Sequence, residues 1–267
     1  MPLLLLFLPV ITNPRQLKLL ERVHAQGSAS VEQLADALGV TLQTVRRDVQ
    51  RMAEAGLLAR FHGGVRMPNT GASTTKNIAH QQRKNLAAAG KARIARAVAR
   101  CVPNDCSLIL NIGTTTEAIA TALLQHKGLR VITNNLNVAE ILCSNTDCEV
   151  IVAGGVVRAR DRGIVGEATV DFIRQFRVDM AIIGISAIEP DGSLRDFDYR
   201  EVKVTQAIMA HAREVWLAAD SSKFNRPAMV QMATLSQIHR LFTDEQPPDP
   251  FPALLAEANV RCDVAID

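Results

Sequence analysis

Cysteine is scarce and poorly spaced for a structural role. The 267-residue chain has Cys101, Cys106, Cys143, Cys148 and Cys262, with no C-x-x-C among them and no histidine at ligand spacing beside them. A structural zinc site takes four soft ligands in tight local pairs, so no metal is expected. An odd set of scattered thiols suits free cysteines in a reducing cytoplasm. Long apolar runs are missing as well. Residues 1–12 read MPLLLLFLPVIT, which falls short of the roughly 20 residues a membrane helix needs. The run also lacks the basic start and the A-x-A cleavage site of a signal peptide. It is read as an extension ahead of the fold, such as a misplaced start codon would leave. Neither export nor a membrane partner is expected, and the location is cytoplasmic.

Acid is sparse in the front of the chain. Residues 14–100 hold 15 Lys/Arg against 5 Asp/Glu, and 67–100 hold seven Lys/Arg and no acid. From residue 101 the balance turns to 15 Lys/Arg against 22 Asp/Glu. A basic front on an acidic back is the electrostatic footprint of a nucleic-acid-binding head on a non-binding body. Apolar residues make up 48%, enough for real cores. The length suits one large domain and one small one.

The front half has strong local punctuation. Asn13-Pro14 starts a helix, with Asn as cap and Pro at the first helical position. Leu17, Leu20 and Val23 follow at helical spacing, and Gly27 ends the run. Ser30 and Gln33 form a capping box for a second helix that buries Val31, Leu34, Ala35 and Leu38. Gly39-Val40 makes a tight turn. Thr41 caps a third helix whose buried stripe is Val45, Val49 and Met52, and Gly56 ends it. Helix, short Gly turn, helix is the layout of a helix-turn-helix. Gln43, Thr44, Arg46, Arg47, Gln50 and Arg51 lie off the stripe, with Asp48 expected to pair with a neighbouring arginine. In a recognition helix, Gln pairs with adenine, Arg with guanine, and Thr meets the thymine methyl. Other arginines bond phosphates, which set position and not sequence. Residues 57–66 then read as a β-hairpin turning at His62-Gly63-Gly64, a wing whose Arg60, His62 and Arg66 are placed to touch the DNA backbone.

Three parts follow: a winged helix-turn-helix domain over 13–66, a linker over 67–90, and a larger domain over 91–267. The linker either adds phosphate affinity or is simply solvated. A helix beginning at Gly90 buries Ile94 and Val98. Beyond it, strand-like runs at 107–112, 130–133, 149–153, 180–185, 215–219 and 241–243 alternate with helical runs at 116–125, 136–143, 168–176 and 201–212. Such alternation predicts an α/β fold with a mainly parallel sheet covered on both faces.

Ligands of such sheets bind at the carboxyl ends of the strands. The first strand is followed by Gly113-Thr114-Thr115-Thr116 and a helix, an anion site built from hydroxyls and free N–H groups. No G-K-[ST] follows, so ATP is not implied and no cofactor is expected. Later strand ends carry Asn134-Asn135, then Gly154-Gly155 with Arg158 and Arg160, then Asp220-Ser221-Ser222-Lys223. Thr114, Thr115 and Lys223 are the expected phosphate holders, with Gly113, Thr116 and Arg158 beside them. Asn134, Asn135 and Asp198 are the expected readers of hydroxyls. Turn chemistry alone also favours Gly, Asn, Asp and Ser, but four such loops at strand ends favour a site.

Two runs carry a family resemblance. Thr41-Leu-Gln-Thr-Val-Arg-Arg-Asp-Val, then Gly56-Leu-Leu-Ala-Arg-Phe-His-Gly-Gly, resembles the recognition helix and R-x-H-G-G wing of the DeoR family of bacterial regulators. In the second domain Asn111-Ile-Gly-Thr-Thr-Thr-Glu, Ile132-Thr-Asn-Asn, Gly163-Ile-Val-Gly-Glu-Ala, Asp196-Phe-Asp-Tyr-Arg-Glu-Val and Asp220-Ser-Ser-Lys-Phe resemble the sensor domain of that family. The resemblance implies a transcriptional repressor of double-stranded operator DNA. It also implies a Rossmann-like sensor fold similar to that of ribose-5-phosphate isomerases. The implied effector is a phosphorylated small molecule, glycerol 3-phosphate, whose binding releases the operator of glycerol-metabolism genes. Two positions depart from the common pattern: Asn111, where many members have Asp, and Ala187, where many have Gly.

The alternative is an isomerase-like enzyme fused to a DNA-binding head. Aldose–ketose isomerisation needs a positioned carboxylate. The loop Ile185-Ser186-Ala187-Ile188 offers none, and Asp196 and Asp198, flanking Phe197, read as part of a ligand lid. No catalytic residue is therefore expected. One winged helix covers only a half-site, so a homo-oligomer, dimer or tetramer, is expected.

Overall fold

The computed structural model describes residues 13–26, 28–54, 57–61, 64–66 and 80–266. They divide into two units, residues 1–73 and 74–267. In the first, α1 (Pro14–Gln26) begins where the Asn13 side chain accepts from the Arg15 amide at 2.9 Å. A short strand β1 (Ser28–Ser30) leads into α2 (Val31–Leu38). The Gln33 amide donates to Ser30 Oγ at 3.1 Å and the Ser30 amide to Gln33 Oε1 at 3.0 Å, closing the capping box. Gly39 ends α2 at φ +64°, a left-handed conformation that side chains resist. That turn aims α3 (Leu42–Glu54), and β2 (Ala59–Phe61) and β3 (Gly64–Arg66) make the hairpin. The expected helix ends Gly27 and Gly56, and the turn at His62 and Gly63, lie outside the described residues.

Two features of this unit differ from the sequence expectation. The hairpin has a third strand, in the order β1-β3-β2, because Ser28–Ser30 pairs antiparallel with β3. Three small residues carry no strand signal of their own; only the long-range pairing makes them one. The inner face of α1 is Gln16, Leu19 and Val23, with Leu17 and Leu20 only partly buried. A buried glutamine is tolerated there because Asp48 of α3 accepts from its side-chain amide at 3.0 Å. Leu19, Val23, Leu34, Val45, Val49, Met52 and Val65 close the core, each contributing about 1.5–3 kcal/mol of burial.

The second unit opens with α4 (His80–Asn85) and α5 (Ala88–Cys101), so helical structure already occupies part of the stretch read as linker. There follow β4 (Ser107–Leu110), α6 (Thr114–Ala122), β5 (Leu129–Thr133), α7 (Leu136–Leu142) and β6 (Cys148–Val152). Two two-residue strands, β7 (Val156–Val157) and β8 (Ile164–Val165), pair as a hairpin before α8 (Glu167–Ile173) and β9 (Val178–Ile183). Next come β10 (Ala187–Ile188), β11 (Ser193–Asp196), α9 (Tyr199–Ala210), β12 (Ala212–Ala218) and β13 (Val230–Thr234). The chain finishes with β14 (Arg240–Thr243), α10 (Phe251–Glu257) and β15 (Arg261–Val264).

Seven strands form one parallel sheet in the order β15-β14-β12-β9-β4-β5-β6. The six expected strands are all in it, and β15 is an addition. Alternate residues face opposite cores, as strand geometry requires. Leu108, Leu110, Met180, Ile182 and Trp216 point to one side, and Ile109, Ala181, Ile183, Val215 and Leu217 to the other. β10, β11 and β13 form a separate antiparallel sheet. From β4 the chain moves outward to β5 and β6, then returns to β9 on the other flank. The direction reverses between β4 and β9, and a crevice opens past their carboxyl ends at such a reversal. Among the described residues no helix is long and apolar enough to cross a membrane.

Candidate functional site

In the first unit the outward face of α3 is Gln43, Arg46, Arg47, Gln50 and Arg51, all exposed, with Thr41 exposed just ahead of the helix. Thr44 is half-buried. Its amide donates to Thr41 Oγ1 at 3.3 Å and the two hydroxyls lie 2.9 Å apart, so this pair braces the helix start. Gln50 is turned toward Glu54, donating to its carboxylate at 3.1 Å. Asp48 does not pair within its own helix. It faces inward and accepts from Arg15 Nε at 2.7 Å and from the Gln16 amide. Burial pushes the Asp48 carboxyl up, but the bonds from Arg15 and Gln16 outweigh that and hold it below its usual range. The clamp locks α3 against α1 and leaves Arg46 and Arg47 presented outward. Arg60 and Arg66 have their backbone in β2 and β3, where Ala59 pairs with Arg66 and Arg60 with Val65. The side chains of Arg60 and Arg66, and all of His62, lie outside the described residues.

In the second unit a narrow cavity sits at the β4/β9 reversal. Its floor is Ile112, Gly113, Thr114 and Thr115 after β4, and Gly184, Ile185 and Ser186 after β9. Gly113 adopts φ +153°, which brings the backbone flush with the cavity in a conformation closed to other residues. No side chain caps the start of α6. The first-turn N–H groups of such a helix have no intrahelical partner and carry the positive end of its dipole. Arg83 of α4, Lys223 and Arg226 bring cations to the same space, and Asp196 and Glu201 bring carboxylates.

The cations are incompletely neutralised. Lys223 Nζ stands 3.9 Å from Asp220 Oδ2. Burial pushes this ammonium down to about 8 despite Asp220. Arg226 lies over the Phe197 ring at 5.2 Å and has no carboxylate within ion-pair distance among the described residues. Arg83 reaches Asp161 only at 3.4 Å, and its buried Nε has no hydrogen-bond partner among the described residues. Opposite them, burial and the neighbouring Asp196 push the Glu201 carboxyl up to about 7. Burial raises Asp196 too, against a 2.6 Å bond from the Phe197 amide. A wider hollow at the other end of the strands is lined by Asp105, Asp147, Glu149 and Asp179, with Arg130 as its one cation among the described residues. Its charge is wrong for a phosphate.

Gly113, Thr114, Thr115 and Lys223 are thus gathered around one cavity, and the remaining expected site residues are placed elsewhere. The Thr116 hydroxyl is fully buried, 2.7 Å from both the Asn111 and Gly113 carbonyls, and shapes the loop. Asn134 donates to the Ile164 carbonyl at 3.1 Å, and the Asn135 side chain caps α7 by accepting from the Asn137 amide at 3.0 Å. Both are inaccessible and hold the end of β5 against β8. Arg158 is consumed by carboxylates: Asp161 at 2.7 and 3.1 Å, Asp198 at 3.0 Å and Glu201 at 2.7 Å. Burial opposes its charge, and those partners more than offset it. Asp198 caps α9 and shares Arg160, outside the cavity wall. Asn111 braces the loop, donating to Thr205 at 2.9 Å.

The sequence reading missed Arg83, Arg226 and Glu201 and set Asp196 aside as part of a lid. Asp196 is in fact buried in the cavity wall. The cavity therefore has carboxylates although the loop 185–188 has none. The Asp196-to-Glu201 spacing across a helix start was the one available signal. Nothing local marked Arg83.

Known proteins settle the class. Residues 15–71 match the DeoR-like helix-turn-helix domain and residues 86–245 the DeoR C terminal sensor domain. The chain is 45% identical over 246 residues to the glycerol-3-phosphate regulon repressor of Escherichia coli, covering 92% of this chain and 96% of that one. It is 47% identical to the protein of the same name from Haemophilus influenzae, covering 87% and 89%. It is 40% identical to the HTH-type transcriptional repressor CsqR of Escherichia coli, covering 93% and 94%. Among solved structures, ribose 5 phosphate isomerase A from Neisseria gonorrhoeae overlaps 53% of this chain and 54% of its own at 14% identity and TM-score 0.38, a likeness too slight to argue from. With both family domains in order and transcriptional regulators as its relatives, the chain is not an enzyme but belongs to the DeoR family of helix-turn-helix transcriptional regulators.

Proposed function

We propose that this regulator represses genes of glycerol and glycerol 3-phosphate metabolism, and that glycerol 3-phosphate in the β4/β9 cavity releases it from its operator. The observation that carries the reading is the cavity itself. An uncapped helix start and the hydroxyls of Thr114 and Thr115 face three under-neutralised cations, Arg83, Lys223 and Arg226. A phosphate ester supplies the missing negative charge, and helix N-termini bind such groups through free N–H donors. The acid pair Asp196 and Glu201 offers acceptors, and a donor when protonated, for carbinol hydroxyls. Three relatives that carry glycerol 3-phosphate in their names support the choice of ester.

On the DNA side, α3 enters the major groove with Gln43, Arg46 and Arg47 toward base edges or phosphates, and the wing contacts the backbone. Half-sites one turn apart, about 34–36 Å, require a homo-oligomer. Release follows if the ester binds more tightly to an arrangement whose heads no longer match that spacing. Fluorescence anisotropy on a duplex from the promoter beside the gene tests this, with glycerol 3-phosphate and with free glycerol as control. Release by the ester alone supports the whole reading. Tight DNA binding that the ester leaves unchanged refutes the effector, and no binding at low salt refutes the operator role.

A further inference from the structure

α4 is the first described element after the wing, and it carries a wall residue of the effector cavity. Its tie to the cavity is specific. His80 Nε2 and Glu117 Oε1, in the first turn of α6, are 2.8 Å apart. Asn137 of α7 donates to that same Oε1 at 2.9 Å. The Arg83 carbonyl accepts from Lys91 Nζ and from Thr114 Oγ1, the latter at a long 3.5 Å. The phosphate loop therefore touches the backbone of α4, and the backbone of Arg83 is held independently of its guanidinium.

The guanidinium of half-buried Arg83 is only loosely committed. Asp161, its one ion-pair partner among the described residues, already accepts from Arg158 at 2.7 and 3.1 Å and from the Gly163 amide at 3.3 Å. Arg83 joins that carboxylate at a long 3.4 Å, with its Nε unused. A phosphate in the cavity offers it a free, doubly charged acceptor with the planar match that guanidinium favours. It also gives the Thr114 hydroxyl a better acceptor than a carbonyl at 3.5 Å. Both changes alter how α4 is held.

We propose that Arg83 binds the effector's phosphate, and that α4, anchored by the His80–Glu117 pair, converts occupancy of the cavity into loss of operator affinity. This rests on the effector reading above. In sequence α4 lies between the DNA-binding unit and α5, and on this proposal its seating is the equilibrium that both ligands bias.

The test uses the full chain, glycerol 3-phosphate as probe, calorimetry for its binding and anisotropy for operator release. In the unaltered protein the ester lowers operator affinity by a factor in the roughly 5–150-fold range of ordinary allosteric coupling. Arg83→Gln loses at least about 10-fold in ester affinity, the loss of one charge-assisted contact. His80→Ala still binds the ester, but its release factor collapses toward about 1, since coupling and affinity are separate quantities. Glu117→Gln repeats the test from the other side of the pair. Hydrogen exchange across α5 and β4 checks that each variant is folded, and α4 amides gain protection with the ester only in the unaltered protein. Full ester affinity in Arg83→Gln, or full release in both folded anchor variants, overturns the proposal while leaving the effector reading intact. If the unaltered protein binds no phosphate ester, that reading fails and this one falls with it.

Discussion

Raising the pH from 7 to 8.5 should weaken effector binding substantially, and the size follows from two cavity groups. Burial brings the Lys223 ammonium down to about 8 and the Glu201 carboxyl up to about 7. Both titrations work in the same direction for an anionic ligand: one removes a positive charge from the cavity and the other adds a negative one. At pH 7 the ammonium is roughly nine-tenths charged and at pH 8.5 roughly one-quarter, by ordinary titration about such a value. If only the charged lysine binds, apparent affinity scales with that fraction and falls about 4-fold. Loss of the Glu201 proton over the same range adds negative charge beside the phosphate and deepens the fall. A phosphate ester whose second pKa is near 6 gains little charge over this range, so the ligand contributes almost nothing to the slope. The assay is calorimetric titration with glycerol 3-phosphate across pH 6.5–8.5 at constant ionic strength, on the protein without DNA. A fall of at least about 4-fold between pH 7 and 8.5 is expected. Glu201→Gln should keep only the shallower lysine limb, and Lys223→Met should flatten the upper limb while weakening binding throughout. A profile that is flat, or that tightens with pH, would refute the placement of the phosphate beside these groups.

Asp48→Ala leaves the buried Gln16 amide without its acceptor, a loss of about 1–3 kcal/mol; thermal unfolding should show the head melting earlier while ester binding is unchanged. Because the folded Asp48 carboxyl lies below its unfolded value, its contribution is fully present above about pH 4 and disappears as pH falls through the folded value, so head stability should decline in acid and Asp48→Ala should blunt that decline. Gly113→Ala forces a side chain into φ +153°, where strain of about 1–3 kcal/mol should appear as earlier thermal unfolding of the sensor unit, with the stability of the head retained. Arg46→Ala removes an exposed cation from α3; operator affinity should fall, and if the contact is to phosphate the log–log salt slope should shrink by about 1. An unchanged slope together with altered base preference would instead assign Arg46 to a base edge.

The recognition helix was legible because everything that makes it is local. Ser30 with Gln33, the Gly39 turn and the Val45, Val49, Met52 stripe each lie within a few residues, and each forms as expected. The parallel sheet was legible for a related reason: strands buried on both faces need continuous apolar runs, and six such runs are present. β15 escaped because Arg261 and Asp263 break its apolar character, and β1 because three small residues strand up only by pairing with β3.

Sequence alone therefore determined the head helices, the parallel strands and the family, and marked the loop at Gly113–Thr115 as a candidate anion site, since capping, periodicity and a strand–Gly–helix junction are properties of short segments. The tertiary structure decided which charges the loop meets. Arg158 sits two residues beyond a strand end and looked available, yet Asp161, Asp198 and Glu201 neutralise it across the fold. Arg83 looked like one more basic linker residue, yet the packing of α4 beside α6 places it in the cavity. Asp48 looked like a surface partner for its own helix, yet it crosses to Arg15 and Gln16. Charge pairing is settled by neighbours in space, at separations where the order of residues along the chain carries no information.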